Sequence, residues 1–428
     1  MNIEIPYGKK YLKENISDNY RIDIFNICSN NVVSNPEEKI LISLNNPIES
    51  EKLENIIKEN EKICIIVDDI TRPTPTKILI KPIIKLIESL NVKKDNVTII
   101  FANGGHRPQT KEEMINILGR YIVDNYKIVN HDAKDRETLK YLGLTKRGTP
   151  VFINKIVIES DLRILIGMVK PHNQAGYSGG GKSLIPGVAG LETILGNHSF
   201  KYVNDVNSRI GVIEKNPIRE DIEEVRNLIG KCYIVNAILN PDKTINDIVS
   251  GDVIAAHRKG VEILNSFSRI SIKKQYDIVI AGCGYPVGIN FYQTLNAITA
   301  PIRLKTPIIK KNGTIIVSSE CPEGIGHKEF FKIASTIKGK PEIFLKNLSE
   351  SKEFKEEQYA AQIWAEVLSK VRVIVITEGI SKEELSEIGA VGAKSINEAM
   401  NMIKNEYPVN SDILILPNAP YAICEIKI

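Results

Sequence analysis

The chain has 428 residues, 43% of them apolar and 25% charged, with a net charge of +4. That composition excludes disordered, collagen-like and disulfide-scaffold classes, and so small a charge gives no nucleic-acid or membrane footprint. No apolar run reaches the ~18 residues that a membrane helix needs, and Met1–Asn15 has no apolar signal-peptide core, so a cytoplasmic protein with no nucleic-acid or membrane partner is expected. The six cysteines are widely spaced, with no C-x-x-C pair, and read as reduced thiols.

In chain order, short apolar runs end in Gly, Asp, Asn or Pro. They are 63–67 before Asp68-Asp69, 97–102 before Asn103-Gly104-Gly105, 162–169 before Lys170-Pro171-His172, and 233–239 before Asn240-Pro241. Then come 278–281 before Gly282-Cys283-Gly284, 313–317 before Ser318-Ser319, and 371–377 before Glu378-Gly379. Such runs predict buried strands of a parallel sheet. Helical patterns lie between them at 75–90, 111–118, 216–229, 253–264, 357–369 and 381–389. The alternation predicts an α/β fold of two α/β domains with parallel-rich sheets. A break near 266–275 divides the chain into an N-terminal cofactor-binding domain, 1–267, and a C-terminal substrate-closing domain, 268–428.

Open α/β sheets bind ligands in the loops beyond their strand C-termini. Of the six histidines, His106, His172 and His198 fall in or just beyond such loops, and histidine moves protons or binds transition metals near neutral pH. His131, His257 and His327 are weaker candidates. The loop Asp68–Thr76 suits an anion or a sugar, and Asn103–Pro108 uses two glycines to turn His106 toward a cleft. Gly176–Ser183 matches the phosphate-loop pattern G-x-x-x-x-G-K-S. However, Pro186-Gly187 breaks the helix that such a loop must open. What remains is a glycine-lined loop delivering Lys182, which can bind an anion, be acylated or condense with a cofactor. An ATP-dependent enzyme using Gly176–Ser183 and a non-catalytic anion-binding protein are the alternatives.

Taken together, Asp69-Ile70-Thr71-Arg72-Pro73, Gly105-His106-Arg107-Pro108, Pro171-His172 through Gly181-Lys182-Ser183, and Asn197-His198 resemble the nickel-pincer-dependent lactate racemase family. Tyr292-Gln293 and Gln358-Tyr359 extend the resemblance. It implies an active site in a cleft between the two domains and a pyridinium mononucleotide whose two thiocarboxyl-derived arms hold nickel through S, C and S. It implies that Lys182 links covalently to that cofactor and that His198 ligates the nickel. Asp69, Ile70, Thr71 and Arg72 then line the cofactor and substrate region, with His106 and His172 as the acid/base pair. Arg72, Gln293, Asn296 and Tyr359 meet a small 2-hydroxy acid. Cofactor-synthesis enzymes are implied as partners. The lactate enzyme carries a lysine three residues after its glutamine, where this chain has Asn296, and a tryptophan where it has Tyr359. Both differences predict a larger, more polar substrate than lactate, such as a sugar acid epimerised at C2.

Overall fold

The computed structural model describes residues 1–17, 19–28, 31–351 and 355–427. A six-stranded sheet runs in the order Ile245–Gly251, Cys232–Leu239, Leu162–Val169, Ile63–Val67, Val97–Phe101, Lys127–Asn130. All neighbours are parallel except the first pair. The strand Ile63–Val67 is buried throughout because helices cover both faces. Its alternation divides it between two cores: Ile63, Ile65 and Val67 enter one, Cys64 and Ile66 the other.

The chain leaves Ile63–Val67 toward Val97–Phe101 on one side and later returns to Leu162–Val169 on the other. This is a topological switch point, where the loops after adjacent strands part and open a crevice. The loops from 68 and from 170 flank it.

The second sheet has eight strands. Its centre, Tyr276–Gly284, lies parallel to Ile309–Ser318 on one side and Asp412–Leu416 on the other. Arg372–Ile376 and Val391–Ala393 extend it. The seven predicted runs are all strands, and the α/β class stands.

The expected domain division fails at the chain's start. Asn2–Gly8 pairs with the end of Tyr276–Gly284, Lys10–Asn15 pairs with Asn2–Gly8, and Arg21–Ile24 pairs with Asp412–Leu416. These three strands therefore belong to the second sheet. Ile3, Ile5 and Tyr7 point inward against Ile278 and Ile280, while Asn2 and Glu4 face out. That is the two-residue period of a strand buried on one face, a weaker signal than a continuous apolar run. At the other end of the first half, the helix Ala255–Ser268 leads into Arg269–Ile272, which pairs with Ile423–Ile426.

A shared core joins the halves, in which Val169, Tyr177 and Ile238 of the first pack with Phe291 and Leu295 of the second. Four of the cysteines are buried, Cys232 is partly buried and Cys28 is exposed; all are free. Among the described residues no helix is long and apolar enough to cross a membrane.

Candidate active site

The loops after Ile63–Val67, Val97–Phe101 and Leu162–Val169 converge on a cleft whose far wall comes from the helices Phe291–Ile298 and Gln358–Leu368. Asp69, Arg72, His106, His172, Lys182, His198, Gln293, Asn296 and Tyr359 all line it. Ile70 and Thr71 line an adjoining cavity of about 700 Å³, which shares Asp69 and His106 with the cleft. The structure thus brings together every predicted site residue.

On one wall, buried Asp69 governs His106. Asp69 Oδ2 lies 2.6 Å from His106 Nδ1. Asp69 Oδ1 accepts from the Thr71 amide at 2.9 Å and the Thr71 hydroxyl at 2.5 Å. Burial raises the Asp69 carboxyl, but His106, Arg72 and Thr71 outweigh it and hold the group at about 2. An ionised carboxylate only accepts, so Nδ1 of His106 carries a proton and donates it. Nε2 is then the acceptor, and Gln293 Nε2 donates to it at 3.2 Å. Arg72 Nη1 donates to Gln293 Oε1 at 3.3 Å and to Thr71 Oγ1 at 3.0 Å, which closes the circuit. The Ile70 amide donates to Gln109 Oε1 at 3.2 Å and fixes the loop.

The opposite wall is built differently. Pro171–His172 pairs with Gly176–Tyr177 in a two-residue antiparallel ladder. Gly176 has φ +75°, and a Cβ there would lie 2.0 Å from the Val212 carbonyl oxygen, so glycine is required. Arg219 clamps the loop by donating to the Ala175 and Tyr177 carbonyls. His172 Nδ1 accepts the amides of Gln174 and Ala175, both at 3.2 Å. In the neutral ring the proton is therefore on Nε2, opposite to His106. Burial, together with Lys182, Lys170 and Arg72, holds His172 well below the usual imidazole range.

Lys182 sits in a short 3-10 turn, Gly180–Ser183, and the next α-helix begins only at Leu191. No α-helix N-terminus therefore follows this loop, as a phosphate site requires. Burial, then Arg219, Arg72 and Lys170, hold the Lys182 amine well below its ordinary range, which favours the neutral, nucleophilic form. His198 caps the helix Leu191–Asn197 at its C-terminus, and Nδ1 donates to the Ile194 carbonyl at 3.2 Å. Its Nε2 is left without a proton, and burial followed by Lys182 keeps the ring neutral, with a pKa near about 3. A buried neutral imidazole whose other nitrogen is fixed by a carbonyl is a donor for a late transition metal.

Two predicted contacts take a different form. The Tyr359 hydroxyl is bonded to that of Tyr292 at 2.7 Å rather than standing free, and its ring lies 4.9 Å from that of His198. Asn296 Nδ2 donates to Gln293 O in its own helix at 2.8 Å, which occupies one of its two N–H groups. His131 and His257 are buried away from the cleft, bonded to the carbonyls of Ala189 and Ser178.

Sequence reasoning missed Lys170 and Asp68. Burial pushes the Lys170 amine down to about 7, with Arg72 adding to it. Burial raises the Asp68 carboxyl to about 6 against the donation from Thr74. Each immediately follows a buried strand, which is the signal that was available. Glu357 was missed as well, and His327, read as a weaker candidate, lines the adjoining cavity.

Two family models match this chain: the lactate racemase N-terminal domain over residues 7–211 and the lactate racemase C-terminal domain over 272–423. The lactate racemase of Thermoanaerobacterium thermosaccharolyticum is 30% identical over 429 residues, covering 100% of both chains. The lactate racemase of Lactiplantibacillus plantarum is 30% identical over 421 residues, covering 97% of this chain and 98% of that one. The structure of the lactate racemase apoprotein from T. thermosaccharolyticum superposes with a TM-score of 0.89 at 30% identity, over 99% of this chain and 100% of the other.

Proposed function

The chain belongs to the lactate racemase family, and from that premise we propose that it is an isomerase that inverts C2 of a 2-hydroxy acid with a nickel-pincer nucleotide. The observation that carries the reading is the pair of histidines across one cleft, one held at Nδ1 by a carboxylate and the other by backbone amides, beside a buried lysine whose amine is held well below its ordinary range. The donor set fits the cofactor. Lys182 offers an uncharged amine for an amide link to one arm, and His198 offers a bare Nε2 to the metal. When bound, the group supplies a ring that takes and returns the hydride at C2.

The chain's own residues handle the rest. Arg72 pairs with the substrate carboxylate, with Gln293 beside it. Nε2 of His106 receives the C2 hydroxyl proton, and the Asp69 carboxylate stabilises the imidazolium so formed. The Nε2–H of His172 donates to the oxygen at C2 from the other wall. His106 returns the same proton to that oxygen once C2 has been inverted, so a turnover from either hand uses both histidines, His106 as base and then acid and His172 as hydrogen-bond donor.

The substrate we infer is an aldonic acid rather than lactate. Where the lactate enzyme has a lysine, Asn296 is a neutral amide with one N–H already given to Gln293 O, and an uncharged acceptor and donor suit a hydroxyl better than a carboxylate. The adjoining 700 Å³ cavity leaves room for a longer carbon chain.

Intact mass, nickel content and turnover of protein co-expressed with the cofactor-synthesis enzymes test the proposal. The expected result is an adduct on Lys182, nickel that is lost in His198→Ala, and faster epimerisation of gluconate than of lactate. An adduct on another residue, or full nickel content in His198→Ala, overturns the cofactor assignment. Lactate turning over fastest overturns the substrate.

A further inference from the structure

The cavity beside the cleft ends at two groups that the reaction above does not use. Glu357 is 3% exposed and lies at the start of the helix Gln358–Leu368 with φ +60°, in the left-handed region that non-glycine residues rarely occupy. Strained backbone of this kind concentrates at functional sites. Its Oε1 lies 3.4 Å from His327 Nε2, and the Tyr292 and Tyr359 hydroxyls interact with the carboxylate, while the Oε2 atom itself is buried without a hydrogen bond. His327 Nδ1 is likewise buried without one. A buried acceptor without a donor costs stability, so such a group is normally matched by something that arrives from outside.

The location supplies the rest. Glu357 Oε1 would lie 3.5 Å from a Cβ at Gly105, next to His106, so the carboxylate sits one residue from the proposed base. The same cavity is lined by His106, Tyr292, Tyr359, His327 and Glu357. Neighbouring Glu356 is already paired with Lys134 at 2.8 Å, whereas Glu357 has no lysine or arginine partner among the described residues.

We propose that Glu357 and His327 form a distal subsite that binds the outer hydroxyls of a polyhydroxylated 2-hydroxy acid whose C2 lies at His106. A hydroxyl donates to the open carboxylate oxygen and can also pair with the open imidazole nitrogen. An alkyl chain leaves both unsatisfied, and a second carboxylate, as in malate, meets the charge of Glu357. The inference rests on the proposed hydroxyacid chemistry and assigns the part of the substrate beyond it. Burial raises the Glu357 carboxyl, and a neutral donor suits such a group.

Calorimetric binding of gluconate, lactate and malate to the full-length holoprotein tests this, because it reads affinity separately from turnover. In Glu357→Leu and His327→Ala, gluconate affinity is expected to fall roughly ten- to a hundredfold more than lactate affinity, the range for losing one hydrogen bond to a charged group. Glu357→Gln, which keeps shape and one acceptor, is expected to fall between wild type and Glu357→Leu. His327 is partly exposed, so His327→Ala reports on the subsite even if Glu357→Leu does not fold. Equal losses for gluconate and lactate overturn the subsite, as does wild-type protein binding malate tighter than gluconate. A divalent ion bound through both residues overturns it in favour of a metal site. Glu357-dependent gluconate binding without epimerisation supports the subsite and counts against the proposed reaction.

Discussion

The two walls of the cleft hold the same residue type in opposite states. On the wall built from 68–72 and 103–108, a carboxylate fixes His106 with its proton on Nδ1. On the wall built from 170–183, two backbone amides fix His172 with its proton on Nε2. The first wall compensates charge, with Asp69, Arg72 and Thr71 interlocked. The second gathers Lys170, Lys182 and His198 under burial and holds each below its ordinary range. One wall thus favours taking a proton, and the other keeps its nitrogens neutral and available for bonding. Residue type alone does not assign a role; the partner of the second ring nitrogen does.

The largest break in this contrast is expected from the neutral-amine wall. Lys182→Ala should show no mass increment after cofactor loading and no measurable activity, since no other described amine occupies that turn. The next effect sets the walls against each other. His106→Ala and His172→Ala should each lower kcat by ~10²–10⁴-fold in both directions while the adduct mass is retained. Asp69→Asn should fall within the same range, because an amide no longer requires His106 to carry its proton on Nδ1. Asp69→Asn at near-full activity breaks the account of the first wall.

A smaller effect reads the second wall without activity. The Lys170 amine is held at about 7 in the folded chain, against ~10.4 for an ordinary lysine. Between those values the unfolded chain binds the extra proton, so stability rises with pH across the window and is lowest below it. The slope from this one group is at most ~1.4 kcal/mol per pH unit. Lys243, held at about 8 by burial, adds to the upper part of the window. Lys170→Met should be more stable than wild type at pH 7, with a shallower rise toward pH 9 in denaturant titrations. Parallel pH profiles for the two proteins would show that Lys170 is not buried as described.

These contrasts were only partly legible in the sequence. The strand 63–67 is a continuous apolar run and 162–169 is one broken only by Arg163, and the loops after them carried Asp69, Arg72, His172 and Lys182 in plain view. Asn2–Gly8 and Arg21–Ile24 were not assigned to the second sheet, because half-buried strands alternate with polar residues and the partners of these two lie some 270 to 400 residues away. The tautomers were not legible at all, since they depend on contacts such as His106 with Asp69 that chain spacing does not encode. Glu357 stayed hidden, and His327 ranked low, for the same reason: each is an ordinary polar residue until burial removes water from it.

The smallest effect concerns the far wall. Asn296 gives one amide hydrogen to Gln293 O, which leaves Oδ1 and one N–H outside that bond. That neutral amide pairs with a hydroxyl but brings no charge to a carboxylate, whose charge is left to Arg72. A lysine in its place brings three donors and a positive charge. Charge-assisted bonds are roughly twice as strong as neutral ones, so the gain for a small carboxylate is about 1 kcal/mol, or roughly fivefold in kcat/KM. Asn296→Lys should therefore raise kcat/KM for lactate by about that factor. It should also lower kcat/KM for gluconate, because the acceptor is lost and a long cation occupies the space beside Gln293. Lactate and gluconate assayed on the same preparation give the ratio directly. If the ratio stays at the wild-type value, Asn296 fills space, and selectivity rests with the distal cavity alone.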